Sequence, residues 1–397
     1  MNYRRIEYAG AIVVFVICSI VYILTAEPSM SLWDCGEFIS CATKQQVGHP
    51  PGAPFFLIVA RALTFYLPKD KIALGINILS GIFTALACMF LFLTTTVFTR
   101  RILYKSGEWA KVTPSLSETI VITGSGIVAA FTACFADSIW FSAVEAEVYA
   151  CSLFFIAFVV WLAVKWLELR SLYPEKNHYY IIVLIGYLVG LSIGVHLLSL
   201  LAIPFIALVI WYNYMENRFS HTRNFIYGGL IGSALLLFVQ YFVIQYSVDI
   251  MDNLELFLVN GLGIKIINTG VVVTYLLLLG ILIYLYRYFL KRQWMWAATI
   301  SLSVFFVYIG YSTYGSILLA SLTDPSIDQN NPENPFTLLS YLRREQYGDR
   351  PLIYGQFYST PLDPFEPFKD GEPLYYPDFN KKKYVLVDSR KSSVPNY

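Results

Sequence analysis

The chain of 397 residues is 57% hydrophobic and only 14% charged, whereas soluble domains carry about 25% charged residues. This composition excludes an ordinary soluble protein and indicates a multi-pass membrane protein. The net charge of +1 supplies no basic field, so nucleic acid is excluded as a partner.

Runs of about 20 apolar residues cross a bilayer as helices, because every backbone polar group must be satisfied within the segment. The sequence contains nine such runs. The predicted spans are 8–26, 72–98, 118–136, 148–167, 179–195, 197–214, 224–247, 267–288 and 295–318. They predict an all-α polytopic membrane protein.

Lysine and arginine favour cytoplasmic connections, and here they concentrate before the first span and in every second connection. They are Arg4, Arg5, Arg100, Arg101, Lys105, Lys111, Lys165, Arg170, Lys176, Arg218, Arg223, Arg287, Lys291 and Arg292. The other connections hold few basic residues, four in the first outer loop (27–71) and Lys265 in 248–266. We therefore expect a cytoplasmic N-terminus in the cell (inner) membrane.

The apolar segment 50–68 has prolines at both ends. Counting it as a span would place Arg100 and Arg101 outside and invert every later connection. We therefore predict a juxtamembrane or re-entrant helix within the outer loop 27–71.

The composition becomes polar from residue 319 onward. The stretch 334–346 predicts an amphipathic helix after a proline, and 351–358 and 382–388 predict short strands. We thus expect a transmembrane module over 1–318 and a small extracytoplasmic segment over 319–397, belonging to a longer chain.

Acidic residues and histidines occur at the predicted outer ends of the spans. Asp34 and Glu37 follow the first span, Glu145 and Glu147 precede the fourth, and His196 follows the fifth. Whole spans separate these residues in sequence, yet the predicted topology places them all at one membrane face. Ionisable groups beside apolar surface are costly and mark function.

Each residue also has a structural explanation. Asp34 suits a helix cap, Glu145 and Glu147 suit solvated loop positions, and His196 suits hydrogen-bonded packing. Arg61 suits a side chain that reaches the lipid head groups. Cys35 and Cys41 share the outer loop, where a disulfide remains an alternative to core packing.

Five stretches carry a resemblance to a known family: LWDCGEF (32–38), GHPPGAPFFLIVARAL (48–63), SAVEAEVYA (142–150), GVHLLSLLAIP (194–204) and NPENPFTLLSYLRREQYGDRPLIYG (331–355). In this order they resemble a family of multi-pass proteins catalogued as a domain of unknown function, whose vertebrate member is a protein O-mannosyltransferase. At greater distance the chain resembles the GT-C glycosyltransferases. The resemblance implies a GT-C-like helix bundle and a polyprenyl-phosphate-linked sugar as donor.

The resemblance makes Asp34 the candidate catalytic base, because transfer to a hydroxyl needs one group to take the acceptor proton. Glu37 lies three residues later on the same helix face and would orient hydroxyl groups. The other candidates are substrate-binding. His49, Arg61 and His196 would hold the lipid phosphate, and Glu145, Glu147 and Tyr149 would complete the sugar side. The carboxylates could also collect a divalent cation, although the spacing does not demand one.

The predicted function is a membrane glycosyltransferase that moves a sugar, mannose or another hexose, to a hydroxyl of an exported protein or glycan. The predicted partners are therefore the polyprenyl-phosphate-linked sugar, that acceptor and membrane lipids. A flippase or transporter for lipid-linked sugars and a non-catalytic assembly protein are the alternatives. Transporters place ionisable groups near the bilayer midplane within repeated halves, whereas here the acids lie at the outer ends of the spans.

Overall fold

The structure is a computed structural model that describes residues 3–105, 109–215, 218–348, 357–369, 373–378, 380–388 and 394–395. These residues form two compact units. The first comprises 1–48, 52–238 and 282–315, and the second comprises 49–51, 239–281 and 316–397.

Helices dominate both units. The α-helices are α1 (Tyr3–Thr25), α2 (Cys35–Lys44), α3 (Pro54–Thr64), α4 (Ile72–Leu103), α5 (Leu116–Cys134), α6 (Asp137–Ala143), α7 (Val148–Leu172), α8 (Tyr179–Ile193), α9 (Ala202–Met215), α10 (His221–Leu237), α11 (Ser247–Leu256), α12 (Thr269–Lys291), α13 (Met295–Tyr311), α14 (Gly315–Ser321) and α15 (Pro335–Arg343). The strands are β1 (Phe368–Lys369), β2 (Leu374–Asp378), β3 (Lys383–Asp388) and β4 (Val394–Pro395).

Within the described residues, eight helical segments are long and apolar enough to cross a membrane. They correspond to eight of the nine predicted spans. The remaining predicted span, 179–195, contains α8, which has 15 residues and is shorter than the roughly 20 residues of a full crossing. The chain is an all-α polytopic membrane protein, as its composition predicts.

The prediction that residues 248–266 form a connection between two spans is wrong. The helix that starts at His221 continues through π-helical segments at Phe238–Tyr246 and Phe257–Gly261. Four acidic or amide residues lie between 249 and 255, so hydropathy alone ends the span too early. The short helix α6 was also not anticipated, because the sequence suggests only a turn there.

In the first unit, α8 and α13 pack so closely that a Cβ atom on Gly190 would lie 2.2 Å from the carbonyl oxygen of Val307. A Cβ on Gly310 would likewise lie 2.4 Å from the backbone nitrogen of Leu191. Close helix approach through small residues is typical of membrane bundles, where van der Waals contact replaces the hydrophobic effect. This contact with α13 holds α8 in the bundle although α8 has only 15 residues.

One end of the first unit carries a cluster of charged residues, which we call the charged end. Glu7, Arg100 and Glu168 are buried there, and Arg4 and Lys165 are partly exposed. Glu168 is fully buried and binds Arg4 at 2.6 Å, Arg100 at 2.8 Å and Lys165 at 2.8 Å. A buried carboxylate is tolerated only when it is paired in this way. The start of α1 and the ends of α4 and α7 therefore lie at the same end of the unit.

The second unit joins α11 to the C-terminal segment. The buried Glu255 accepts hydrogen bonds from the N–H groups of Asn268, at 2.6 Å, and Gly270, and so satisfies the start of α12. The predicted amphipathic helix is confirmed as α15, which Asn334 caps. The predicted strand at 382–388 is confirmed as β3, antiparallel to β2, whereas most of the strand predicted at 351–358 lies outside the described residues.

Candidate active site

Asn77 of α4 holds the chain that leads to the acidic pair. It is fully buried, and its amide donates to the carbonyl oxygens of Glu27, at 2.7 Å, and Ser29, at 2.8 Å. The thiol of Cys35 donates to the side-chain oxygen Oδ1 of Asn77 at 3.8 Å. One side chain thereby fixes both the start of the loop and the first residue of α2.

Asp34 occupies the N-cap position of α2. Within the described first turn its side chain accepts no capping hydrogen bond, so the alternative that Asp34 serves as a side-chain cap gains no support. A carboxylate oxygen of Asp34 lies within 4.8 Å of one of Glu37. The structure brings together the two acids that the sequence singles out.

Trp33, directly before Asp34, has a left-handed backbone with φ of 67°, and its side chain is 85% exposed. Positive φ is uncommon for a bulky residue and tends to occur where function constrains the chain. Asp34 therefore directly follows a residue whose backbone conformation is constrained.

Glu37 is half-buried against the chain that returns after α2. A Cβ atom on Gly48 would lie 2.8 Å from Oε1 of Glu37 and 3.5 Å from Sγ of Cys41. Burial, followed by the nearby negative charge of Glu37, raises the pKa of the Cys41 thiol to about 12. A side chain at position 48 would therefore displace the Glu37 carboxylate from this position.

Arg61 connects α3 to α2. Its guanidinium donates to the carbonyl oxygen of Thr43 and to the hydroxyl of Thr64 at 3.3 Å, and it lies 4.6 Å from the ring centre of Phe65. An arginine at the carbonyl end of a helix also interacts favourably with the helix dipole. Arg61 thus has a structural role beside the predicted phosphate contact.

The turn before α7 lies against the same loop. The N–H of Glu27 donates to the carbonyl oxygen of Val144 at 2.9 Å, and the hydroxyl of Ser31 donates to the carboxylate of Glu145. Glu145 and Glu147 are 3% and 6% exposed. They are therefore not the solvated loop charges that the sequence left as an alternative.

His196 and Tyr149 form a third part of this region. Their ring centres lie 5.1 Å apart. Nδ1 of His196 accepts a hydrogen bond from the N–H of Leu198 at 3.1 Å, so Nε2 carries the proton of the neutral ring. The N–H of Phe55, at the start of α3, donates to the carbonyl oxygen of Gly194 at 2.7 Å.

The first unit thus joins three separate turns, which we call the site end: 27–37, 144–149 and 194–198. Asp34, Glu37, Glu145, Glu147, Tyr149 and His196 all lie there, with Arg61 on the adjoining α3. His49 belongs to the second unit, where its carbonyl oxygen accepts a hydrogen bond from the hydroxyl of Tyr341 at 3.3 Å.

Two sets of side chains in the first unit have ligand atoms close enough to share a metal ion. The carboxylates of Asp34 and Glu37 offer hard oxygen ligands, which Mg²⁺ and Ca²⁺ prefer. The thiols of Cys18, Cys88 and Cys134 lie within 4.8 Å of one another but are buried in the hydrophobic core, where cysteine packs as a small apolar residue. All six cysteines lie among the described residues and are free thiols, so the disulfide alternative for Cys35 and Cys41 is not realised.

Sequence reasoning missed Asn77, Ser31 and Gly48, although each one positions an acidic residue or its loop. Asn77 is the most detectable of them, because an amide within an apolar span needs internal hydrogen-bond partners. Ser31 and Gly48 give no such signal, because both are ordinary loop residues.

The part of the chain that contains these residues is similar to known proteins. Residues 34–219 match the family described as the Protein O-mannosyl-transferase TMEM260 N-terminal domain. The chain is 25% identical over 252 residues to the Protein O-mannosyl-transferase tmem260 of Dictyostelium discoideum, a match that covers 59% of this chain and 28% of that protein. It is 30% identical over 159 residues to the Protein O-mannosyl-transferase TMEM260 of Mus musculus, which covers 40% of this chain and 20% of that protein.

The matched regions are thus less than a third of the length of either relative. No solved structure matches the chain. The family match begins at Asp34 and includes seven further predicted site residues, up to His196. This chain is therefore related to the family of protein O-mannosyltransferases that the TMEM260 proteins represent.

Proposed function

We propose that this chain carries the catalytic centre of a GT-C-type membrane glycosyltransferase. It transfers a sugar, mannose or another hexose, from a polyprenyl-phosphate donor to a hydroxyl of an exported protein or glycan. The observation that carries the proposal is the pair of neighbouring carboxylates of Asp34 and Glu37. Ser31 of the same loop is hydrogen-bonded to Glu145, and Tyr149 and His196 lie together at the same site end. The two relatives, both named protein O-mannosyl-transferases, support the same reaction class.

Asp34 acts as the general base. It takes the proton of the acceptor hydroxyl while the hydroxyl oxygen attacks the anomeric carbon from the face opposite the phosphate. The bond from that carbon to the phosphate oxygen breaks, and the polyprenyl phosphate leaves with the electron pair. Because phosphate is a weak base, no second carboxylic acid is needed to protonate it, unlike in glycosidases.

Glu37 orients the acceptor or sugar hydroxyls from its position against Gly48. The protonated Nε2 of His196 and the guanidinium of Arg61 are the donors assigned to the lipid phosphate. Glu145, Glu147 and Tyr149 complete the sugar side. A divalent cation held by the carboxylates of Asp34 and Glu37 would supply further positive charge for the phosphate.

The proposed location is the cell (inner) membrane, with the N-terminus cytoplasmic and the site end extracytoplasmic. The basis is the distribution of lysine and arginine among the connections. The donor would then reach the site end from the outer leaflet.

An assay of the purified chain with a polyprenyl-phosphate hexose and a peptide rich in Ser and Thr tests the proposal. We expect hexose on the peptide hydroxyls and release of polyprenyl phosphate. The same chain in sealed vesicles distinguishes the alternatives, because a flippase would move the lipid-linked sugar between leaflets without turnover. An assembly protein would do neither, and either result would contradict the proposal.

A further inference from the structure

Three buried thiols meet in the core of the first unit, and the proposed mechanism uses none of them. Cys18 of α1, Cys88 of α4 and Cys134 of α5 have sulfur atoms that all lie within 4.8 Å of one another. Each of the three residues is at most 2% exposed. A lone buried cysteine packs as a small apolar residue. Three cysteines from three different helices instead form a ligand set that can bind one atom together.

The thiol cluster, which we define as Cys18, Cys88 and Cys134, lies toward the site end. Cys134 is the last residue of α5, and Cys18 precedes the end of α1 by seven residues, about 10 Å along the helix axis. Tyr22, one helical turn after Cys18, donates from its hydroxyl to the carbonyl oxygen of Cys134 at 2.8 Å. This hydrogen bond joins α1 to α5 beside the cluster, so the convergence of the thiols does not depend on side-chain packing alone.

The surroundings of the thiol cluster are apolar. The same hydrophobic core contains Val14, Ala85, Phe92 and Ala130. Among the described residues, no histidine or carboxylate joins the three sulfur atoms. An uncompensated charge is costly in such surroundings. Cysteine binds as the thiolate, so three bound thiolates are neutralised only by a trivalent centre.

We propose that the thiol cluster binds a trivalent thiophilic metalloid, arsenic(III), which enters as arsenous acid. The step needs no oxidant or reductant. Each thiol gives its proton to one hydroxyl of As(OH)₃, three water molecules leave, and three As–S bonds replace the three As–O bonds. Arsenous acid and the product are both neutral, so no charge has to enter the apolar core. This binding is separate from the proposed function and does not depend on it.

Other thiophilic ions fit the cluster less well. Cu(I) and Zn²⁺ also bind thiolates, but three thiolates leave either ion with a net negative charge in the core. Structural Zn²⁺ sites moreover have four ligands, whereas the described cluster offers three. Sulfur atoms about 2.3 Å from one shared centre are at most about 4.0 Å apart. Separations below 4.8 Å therefore need only small side-chain rotations to close around it.

Retention of arsenic by the full chain in lipid nanodiscs tests the proposal. Sodium arsenite is added, and unbound arsenic is removed by gel filtration. We expect one retained arsenic atom per chain and an X-ray absorption spectrum with three sulfur neighbours and no oxygen neighbour. The melting temperature should shift upward, because the bridge joins three helices. Zinc chloride, added in the same way, should not be retained.

Cys18→Ala, Cys88→Ala and Cys134→Ala should each lose the retained arsenic. Two thiols leave one hydroxyl on the arsenic, and the apolar core offers no compensation for burying it. Cys151→Ala is the matched control, because Cys151 is fully buried on α7 but lies outside the cluster. This control should retain arsenic like the unaltered chain. The melting temperature of each variant without arsenite shows whether it folds.

The proposal would be overturned if the unaltered chain retained no arsenic, if the spectrum showed oxygen neighbours, or if zinc were retained instead. Retention that falls as much in Cys151→Ala as in Cys18→Ala would overturn it as well. The spectrum of the unaltered chain identifies the ligand atoms without any variant, so the test does not depend on the folding of the alanine variants.

Discussion

At the residue scale, the position of Asp34 separates a chemical role from a structural one. Its carbonyl oxygen accepts the N–H of Phe38 at 2.9 Å, whereas its carboxylate stays outside the capping arrangement of the described first turn. A substitution that changes only the carboxylate should therefore leave α2 in place.

We expect Asp34→Asn to lower turnover by about 10²- to 10⁴-fold, the usual cost of removing a general base. The amide keeps the size of the side chain but cannot take the acceptor proton. Donor affinity and folding yield should change little. The measurement is turnover and donor binding for the purified variant.

Glu37→Gln is the matched comparison, because it makes the same chemical change three residues away. Its turnover should fall less, since an orienting group acts through position and not through proton transfer. Equal losses in the two variants would contradict the assignment of Asp34 as the sole base. Normal turnover of Asp34→Asn would contradict the role of Asp34 as the general base and would make Glu145 or Glu147 the next candidate.

At the scale of elements, Asn77 determines where the acidic loop lies. Asn77→Ala removes both hydrogen bonds to the loop and leaves the carbonyl oxygens of Glu27 and Ser29 without that partner. A hydrogen bond of this kind contributes about 0.5–1.5 kcal/mol, and both bonds are part-buried, so we expect a lower melting temperature and faster proteolysis within 27–34. Turnover should fall although Asn77 is not proposed to touch substrate.

Thr95→Val on the same helix is the control for this change. Thr95 donates to the carbonyl oxygen of Leu91 within one helical turn, so its loss should have little effect on the loop. If both variants cleaved at the same rate within 27–34, Asn77 would not be the residue that holds the loop.

A second element, the segment between α14 and α15, should respond to pH. Burial and repulsion from Asp324 raise the pKa of Asp328, although the hydroxyl of Ser321 partly offsets this. Burial and repulsion from Asp324 and Asp328 also raise the pKa of Glu333. A carboxyl group with a raised pKa in the folded state is stabilising while protonated, and this contribution is lost as the pH rises through the raised value.

We therefore expect the segment 322–334 to resist proteolysis better at mildly acidic pH than at neutral pH. A double variant with Asp328→Asn and Glu333→Gln should show a flatter pH profile and greater resistance at neutral pH. Greater resistance of the unaltered segment at neutral than at acidic pH would contradict the expected sign.

The sequence predicts the helices better than it predicts the site. Apolar runs of span length indicate their own secondary structure, so eight spans match helices that the structure describes. Exceptions occur where local composition misleads, as at 248–266, where polar residues lie inside a continuing helix. The acids of the site end can be identified from the sequence because charge is rare in such a chain. Ser31 is recognised only by its contact with Glu145, far away in sequence, and Gly48 only by its contact with Glu37 after the chain has turned.

At the scale of the whole molecule, the charged end constrains how the first unit crosses the membrane. Arg4 at the start of α1 and Arg100 at the end of α4 both bind Glu168. The two helices therefore run in opposite directions. The chain from Arg4 to Arg100 starts and finishes at the same end of the unit, so it crosses the membrane an even number of times. Helix α3, with 11 residues, is about 16 Å long and too short to cross by itself.

The distribution of basic residues then predicts which end faces the cytoplasm. Cysteines placed at Leu32 in the acidic loop and at Lys176 beyond α7 probe the two ends, since both residues are exposed. In intact cells an impermeant thiol reagent should label Leu32→Cys at once and Lys176→Cys only after permeabilisation. The six native cysteines are buried, so the unaltered chain provides a low background. Labelling of Lys176→Cys in intact cells, with Leu32→Cys protected, would invert the orientation and place Asp34 on the cytoplasmic side, away from an exported acceptor.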